Sequence, residues 1–231
     1  MPTLQSRARA AGWTYLLLVV LGLTNLMLLP GKFLVPDDPA ASARAILAQE
    51  GLYRFWVASS LASVVVFLLL SLLLYRLFQD VDREQAALMA ILVLVQVPLG
   101  FLDGILQLGV LSVLKGPSLP ALADPATRDT LAGLLLALSR HATTVSETFW
   151  GLWLLPLGLL VLRSRFLPTF LGVWLILNGL AYVALSALGI LAPDLGKRAF
   201  LAFQPFLFGE MAFTLWLLFR GVRPKAEPAA A

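Results

Sequence analysis

Arg54-Phe-Trp-Val-Ala-Ser-Ser-Leu-Ala-Ser-Val-Val-Val-Phe-Leu-Leu-Leu-Ser-Leu-Leu-Leu-Tyr-Arg-Leu-Phe78 has no charged residue between Arg54 and Arg76. A helix that crosses a bilayer needs about 20 mainly apolar residues, at 1.5 Å rise each. This stretch meets that length, and five others resemble it. They run from Gly12 to Leu29, Ala86 to Leu114, His141 to Leu162, Pro168 to Leu191 and Ala199 to Phe219. The first is expected to stop at Pro30-Gly31. Its apolar run is long for a signal sequence and no small-residue cleavage site follows, so it reads as an uncleaved span. The fold class is therefore all-α, an integral membrane bundle of six transmembrane helices.

Composition agrees. Hydrophobic residues make up 60% of the 231-residue chain and charged residues 13%, with a mean hydropathy of +0.89. Soluble domains carry about 45–50% apolar and about 25% charged residues. The net charge of +4 is modest and sits largely at span ends, which points to lipid headgroups and argues against nucleic acid. The absence of cysteine excludes disulfides, thiol catalysis and Cys-based metal sites.

Two surface helices are expected between the spans. Asp38 is a good N-cap with Pro39 behind it, and that helix should end at Gly51. A loop with Pro117 and Pro120 leads to a second such start, Asp124-Pro125. The helical pattern then runs to Phe166, about 60 Å, twice a membrane's thickness. It is divided into a surface helix near Asp129 to Ser139 and the fourth span. Asp80, Asp82, Arg83 and Glu84 form a short polar turn, and Arg163-Ser164-Arg165 closes the fourth span. Residues 1–220 read as one domain, and 221–231, rich in Ala and Pro, as a disordered tail. No internal repeat stands out, so an inverted-repeat transporter has little support.

Six spans place both termini on one side. Arg7, Arg9, Arg76, Arg83, Arg163, Arg165, Arg220, Arg223 and Lys225 lie there, close to helix ends, and slightly outnumber the basic residues opposite. Both termini are expected in the cytoplasm of a cell-membrane protein.

The spans also carry polar residues at helical spacing. One face of the third holds Gln96, Gly100, Asp103 and Gln107; one face of the fourth holds Arg140, Thr144, Glu147 and Gly151. Asn178, Tyr182 and Ser186 share a stripe on the fifth, and Glu210 and Thr214 on the sixth, with Asn25 on the first. Each is costly against lipid and should face inward. At 1.5 Å per residue, Asp103, Glu147, Tyr182 and Asn25 lie about 4–8 Å outside the midplane, with Glu210 and Asn178 near it. That agreement in depth suggests one polar cavity in the outer half. Intramembrane carboxylates are rarely incidental, because each costs a few kcal/mol when ionised. They can equally be protonated, or paired with Arg54, Arg140 or an amide, and serve packing alone.

Other features have plainer readings. Pro98 is expected to interrupt the third span, and with Pro156 and Pro205 it shapes the helices. Gly100 and Gly104 permit close helix approach. Trp13, Tyr53, Trp56 and Trp216 form interfacial belts, and Trp150, Trp153 and Trp174 pack. His141, six residues before Glu147, lacks the i, i+4 geometry of helical zinc motifs. No metal and no cofactor is expected.

Several pieces in order resemble a known family. They are Arg9-Ala-Ala-Gly-Trp-Thr-Tyr15, the run from Asp38 to Arg54, and Gly151-Leu-Trp-Leu-Leu-Pro-Leu-Gly-Leu-Leu-Val-Leu-Arg-Ser-Arg-Phe-Leu-Pro168. Leu171-Gly172, Gly179-Leu-Ala-Tyr182 and Glu210 to Gly221 follow. Together they resemble the bacterial multi-pass membrane proteins catalogued as domain of unknown function 4386. The resemblance implies a small helical membrane protein and one domain. It implies no activity, so Glu50, Arg54, His141, Glu147 and Glu210 remain candidates on physical grounds alone.

Three functions follow from this reading. The first is binding or transport of a small amphipathic ligand or lipid headgroup, with Asp103, Glu147 and Glu210 as acceptors and Gln107, Asn178, Tyr182 and His141 lining the site. The second is an intramembrane enzyme on a lipid-like substrate, with Glu147 or Asp103 as base and His141 as acid. The third is a structural or accessory protein. Expected partners are membrane lipids and the amphipathic ligand, and the small-residue faces leave a homo-oligomer open.

Overall fold

A computed structural model describes residues 3–116 and 124–222. The described residues are helical with no strand: α1 (Leu4–Leu23), a π-turn (Thr24–Leu28), α2 (Pro30–Phe33), α3 (Pro39–Ala48), α4 (Glu50–Phe78), α5 (Arg83–Lys115), α6 (Pro125–Leu152), α7 (Leu154–Ser164), α8 (Thr169–Leu191), α9 (Pro193–Leu207) and α10 (Gly209–Phe219). Six stretches are long and apolar enough to cross a membrane: Leu4–Phe33, Glu50–Phe78, Arg83–Lys115, Pro125–Ser164, Thr169–Leu191 and Arg198–Phe219. The chain is an all-α, multi-pass membrane protein. Pro117, Pro120 and the tail from residue 223 lie outside the described residues.

The expected helix starts are seen. Asp38 accepts from the Ala41 N–H at 2.7 Å, and Asp124 from the Thr127 N–H at 2.9 Å; each side chain satisfies a donor that the first helical turn leaves free. The inward stripe of α5 is also seen. Gln96 and Gln107 are buried, while Ile91, Leu94, Val95, Ile105 and Leu108 face outward.

The breaks fall elsewhere than expected. The first span does not stop at Pro30. A π-turn bond from the Leu29 N–H to the Thr24 carbonyl (3.0 Å) carries the chain past it, and Pro30 opens the next turn, where no N–H is required. Gln49, not Gly51, separates α3 from α4. Pro98 lies inside an unbroken α5. No interruption occurs near Arg140: α6 is one helix of 28 residues, about 42 Å long, so at least one end projects beyond a hydrocarbon core of about 30 Å. The break lies at Trp153, because the Pro156 ring would clash with the Leu152 carbonyl one turn back. As the third residue of α7, Pro156 needs no donor there.

The chain falls into two compact units. The first comprises the start of α1, the end of α4, the start of α5 and everything from Glu147 onward. Two of its helical walls meet along a glycine seam. Gly151 of α6 faces Gly179, and Gly158 of α7, seven residues further along the chain, faces Gly172, seven residues back along α8. A Cβ on Gly179 would lie 2.7 Å from the Gly151 carbonyl oxygen; one on Gly158 would lie 2.8 Å from that of Gly172. Apolar surface gains nothing by leaving lipid for another helix, so association depends on such close approach. Beside the seam, Trp153 packs against Tyr15 and Phe67, with ring centroids 6.0 and 5.0 Å away, and Phe213 packs edge-on to Tyr15. At one end of this unit the Gln5 side chain accepts from the Val222 N–H at 2.8 Å, so the two described chain ends meet.

Asp82 ties the same unit together outside the spans. Its carboxylate caps α5 by accepting from the Gln85 N–H at 3.0 Å and pairs with Arg163. The Gln85 N–H first, and the Arg163 guanidinium with it, hold the carboxyl below its ordinary 3.8. The folded-state value is therefore lower than the unfolded one. The stabilisation is present above the ordinary Asp range and is lost as pH falls through the lowered value. Asp82→Asn should flatten the acid limb of a melting-temperature profile taken from neutral pH to about pH 3. A variant whose acid limb is as steep as wild type would remove Asp82 from the account.

The second unit comprises residues 18–66 and 96–146. Phe33 stacks on Trp56 with centroids 5.7 Å apart, and Tyr53 stands edge-on to both. Ile46, Leu111, Leu114 and Leu136 complete this core. Tyr53 and Trp56 are thus core residues, a correction to their reading as belt residues. The Tyr53 hydroxyl donates to the Gln107 carbonyl (3.1 Å) and the Trp56 indole N–H to the Asn25 carbonyl (3.1 Å). Gly100 and Gly104 do admit close approach of α4: a Cβ on either would meet Val64 or Leu61 at 2.5 or 2.6 Å.

Candidate functional site

Glu210 lies in the first turn of α10, just past the break at Phe208. That break leaves carbonyls of α9 without their next-turn donors, and α8 supplies replacements. The Trp174 indole N–H donates to the Pro205 carbonyl at 3.2 Å, and the Asn178 amide to that of Leu207 at 3.4 Å. Gly209 permits this contact, since a Cβ there would lie 3.1 Å from Trp174. The Tyr15 hydroxyl, fully buried on α1, donates to Glu210 Oε2 at 2.6 Å, and the Asn178 amide interacts with the same carboxylate.

Tyr182, one turn after Asn178, lies close enough to both Glu210 and Glu147 to feel their charge. A further turn on, Ser186 shares a 2.7 Å hydroxyl–hydroxyl bond with Thr148. Glu147 itself makes no hydrogen bond or ion pair among the described residues, and neither does the Tyr182 hydroxyl. The Trp150 ring meets that of Tyr182 edge-on, with centroids 6.1 Å apart. Buried Asn178 Oδ1 also lacks a partner among the described residues.

In the second unit Asp103 is well satisfied. One oxygen accepts from the Ser139 hydroxyl, the other from the Gln107 amide at 2.9 Å. Gln107 Oε1 and Gln96 Nε2 are buried without partners among the described residues. His141 is exposed on α6 and bonds to neither carboxylate. Glu50 bonds to Arg54 (2.7 Å) and Lys115 (3.0 Å), ion pairs at helix ends. A shallow groove on early α6, lined by Asp124, Thr127 and Leu131 among others, includes none of the candidates.

Of the residues singled out from sequence, the first unit therefore brings together Glu210, Asn178, Tyr182 and Glu147, while Asp103 and Gln107 group in the second. No three His, Asp or Glu side chains among the described residues could hold a metal ion. Sequence reasoning missed Tyr15 and Ser139. Tyr15 had a signal: Ala8, Ala11, Gly12 and Tyr15 form one buried helical stripe of small residues ending in a polar one.

No curated protein and no solved structure matches the chain. A family model does, over residues 10–221, a span that holds the glycine seam, the Tyr15–Glu210 bond and the Asp103 group. The chain belongs to the family described as a domain of unknown function, DUF4386.

Proposed function

We propose that this protein binds a small amphipathic ligand within the membrane, and that Glu147 is the carboxylate that meets the ligand's polar head. One observation carries the reading: Glu147 lies inside a span, partly exposed, with no hydrogen bond or ion pair among the described residues. A carboxylate at such a position costs a few kcal/mol unless something compensates it. Glu210 and Asp103 have hydroxyl and amide partners, so they suit packing and orientation. His141 makes no hydrogen bond to Glu147 or Asp103 among the described residues, so the base–acid pair of the enzymatic reading finds no support there.

Native mass spectrometry of the full-length protein released from uncharged detergent should show a retained small molecule. Glu147→Gln should weaken its retention about tenfold, roughly one charge-assisted contact, while the melting temperature stays near wild type. Wild type that retains nothing across several detergents, or a variant that retains the same species equally, overturns the proposal.

The ligand is taken from the outer side, with both termini in the cytoplasm of a cell-membrane protein. The basic residues beside the helix ends support that orientation. Because the chain has no cysteine, single cysteines at position 5 and position 38 make a clean test. An impermeant maleimide added to whole cells should label position 38 and spare position 5; the opposite pattern inverts the topology.

A further inference from the structure

The surroundings of Glu147 restrict what the ligand can be, if the reading of that residue as the ligand's carboxylate holds. Trp150 lies three residues after Glu147, so the two side chains are neighbours on the surface of α6. Tyr182 projects from α8 against Trp150 at a near-perpendicular 81°. Both residues are partly exposed. The corner is also held firmly: Gly151 and Gly179 bring the two helices into backbone contact beside it, and the Thr148–Ser186 bond fixes them one turn away.

Each group presented there is electron-rich. The carboxylate is an acceptor when ionised, and the ring faces carry negative potential. The donors in the set are the Tyr182 hydroxyl and the Trp150 indole N–H. An anionic headgroup would meet repulsion from the carboxylate and both ring faces. A polyhydroxyl headgroup would find few donors. A cation finds charge complementarity at the carboxylate and attraction at the ring faces, the combination that recognises alkylammonium ions.

We propose that Glu147, Trp150 and Tyr182 form a recognition site for the ammonium headgroup of a cationic amphiphile. The alkyl chain would lie along the lipid-facing surface of the spans, where it needs no further recognition.

The test uses full-length protein in lipid nanodiscs of zwitterionic and uncharged lipids. It is titrated with octyltrimethylammonium, octyl sulfate and octyl glucoside, each below its micelle-forming concentration, and binding is read by calorimetry and native mass spectrometry. The ammonium compound should bind saturably and in preference to the other two. Glu147→Gln should weaken it about tenfold or more, and Trp150→Leu by a similar factor. Trp150→Phe, which keeps a ring, should retain most of the affinity, so a folding defect is separated from loss of the aromatic face. If octyl sulfate or octyl glucoside binds as well, and that binding depends on Glu147, the ammonium assignment fails while the ligand site stands. If none of the three binds saturably, or if ammonium binding ignores Glu147→Gln, both assignments fall.

Discussion

Gly158→Leu and Gly179→Leu should each destabilise the protein by about 3 kcal/mol, the upper end of the range for overpacked interiors. The usual relief in such cases is a neighbouring side chain that turns aside. Here the obstruction includes backbone: the Gly172 carbonyl 2.8 Å from a Cβ on Gly158, and the Gly151 carbonyl 2.7 Å from one on Gly179. Neither can move without displacing a helix. Both variants should extract poorly, and what is recovered should melt well below wild type in detergent. Gly22→Ala is the control. A Cβ there meets nothing within 4 Å, so helix propensity alone should leave that variant unchanged or up to about 1 kcal/mol more stable. If the leucine variants melt alongside the Gly22 control, the seam does not hold the helices together.

Trp153→Ala should cost about 3 kcal/mol, the low end for a large buried aromatic, since lipid removes the water-transfer part of the usual penalty. The side chain is 1% exposed and contacts rings from α1 and α4. Its loss leaves a cavity beside Tyr15, whose hydroxyl serves Glu210. The damage should therefore couple to that hydrogen bond, so that Trp153→Ala combined with Tyr15→Phe costs measurably less than the two changes summed. Strict additivity would show that ring and hydrogen bond act independently. Trp13→Ala, at a residue 65% exposed, should leave the melting temperature nearly unchanged.

The six spans were legible because lipid imposes a rule of length and composition that can be read locally. The starts at Asp38-Pro39 and Asp124-Pro125 were legible for the same reason: a cap is a short-range signal. The inward stripes of the third and fifth spans followed from helical period alone; that of the fourth did not hold, since Arg140 is exposed and Glu147 partly so. What else failed was of another kind. The break at Trp153 depends on the effect of Pro156 one turn upstream, whereas the sheer length of the helical pattern suggested a break near Arg140 that the backbone has no reason to make. Tyr53 and Trp56 read as belt residues because their depth was visible and their partner Phe33 was not. The Tyr15–Glu210 pair joins opposite ends of the chain, and no local pattern announces such a partnership. The glycine seam lies between these cases. Equal seven-residue spacings in Gly151/Gly158 and Gly172/Gly179 were present in the sequence, but they become meaningful only once the two helices are known to run antiparallel.

That seam also bears on the order of events during biogenesis. Its two sides are joined only through Arg165 to Pro168, with Arg165 in the left-handed conformation (φ 56°) that ends α7. Contacts so near in sequence carry little loop-closure entropy, and local contacts form fastest. The α7–α8 hairpin can therefore close as soon as α8 leaves the ribosome, without waiting for α9 or α10. It would then present a finished surface, with Trp174 and Asn178 already in place, to receive the broken last span.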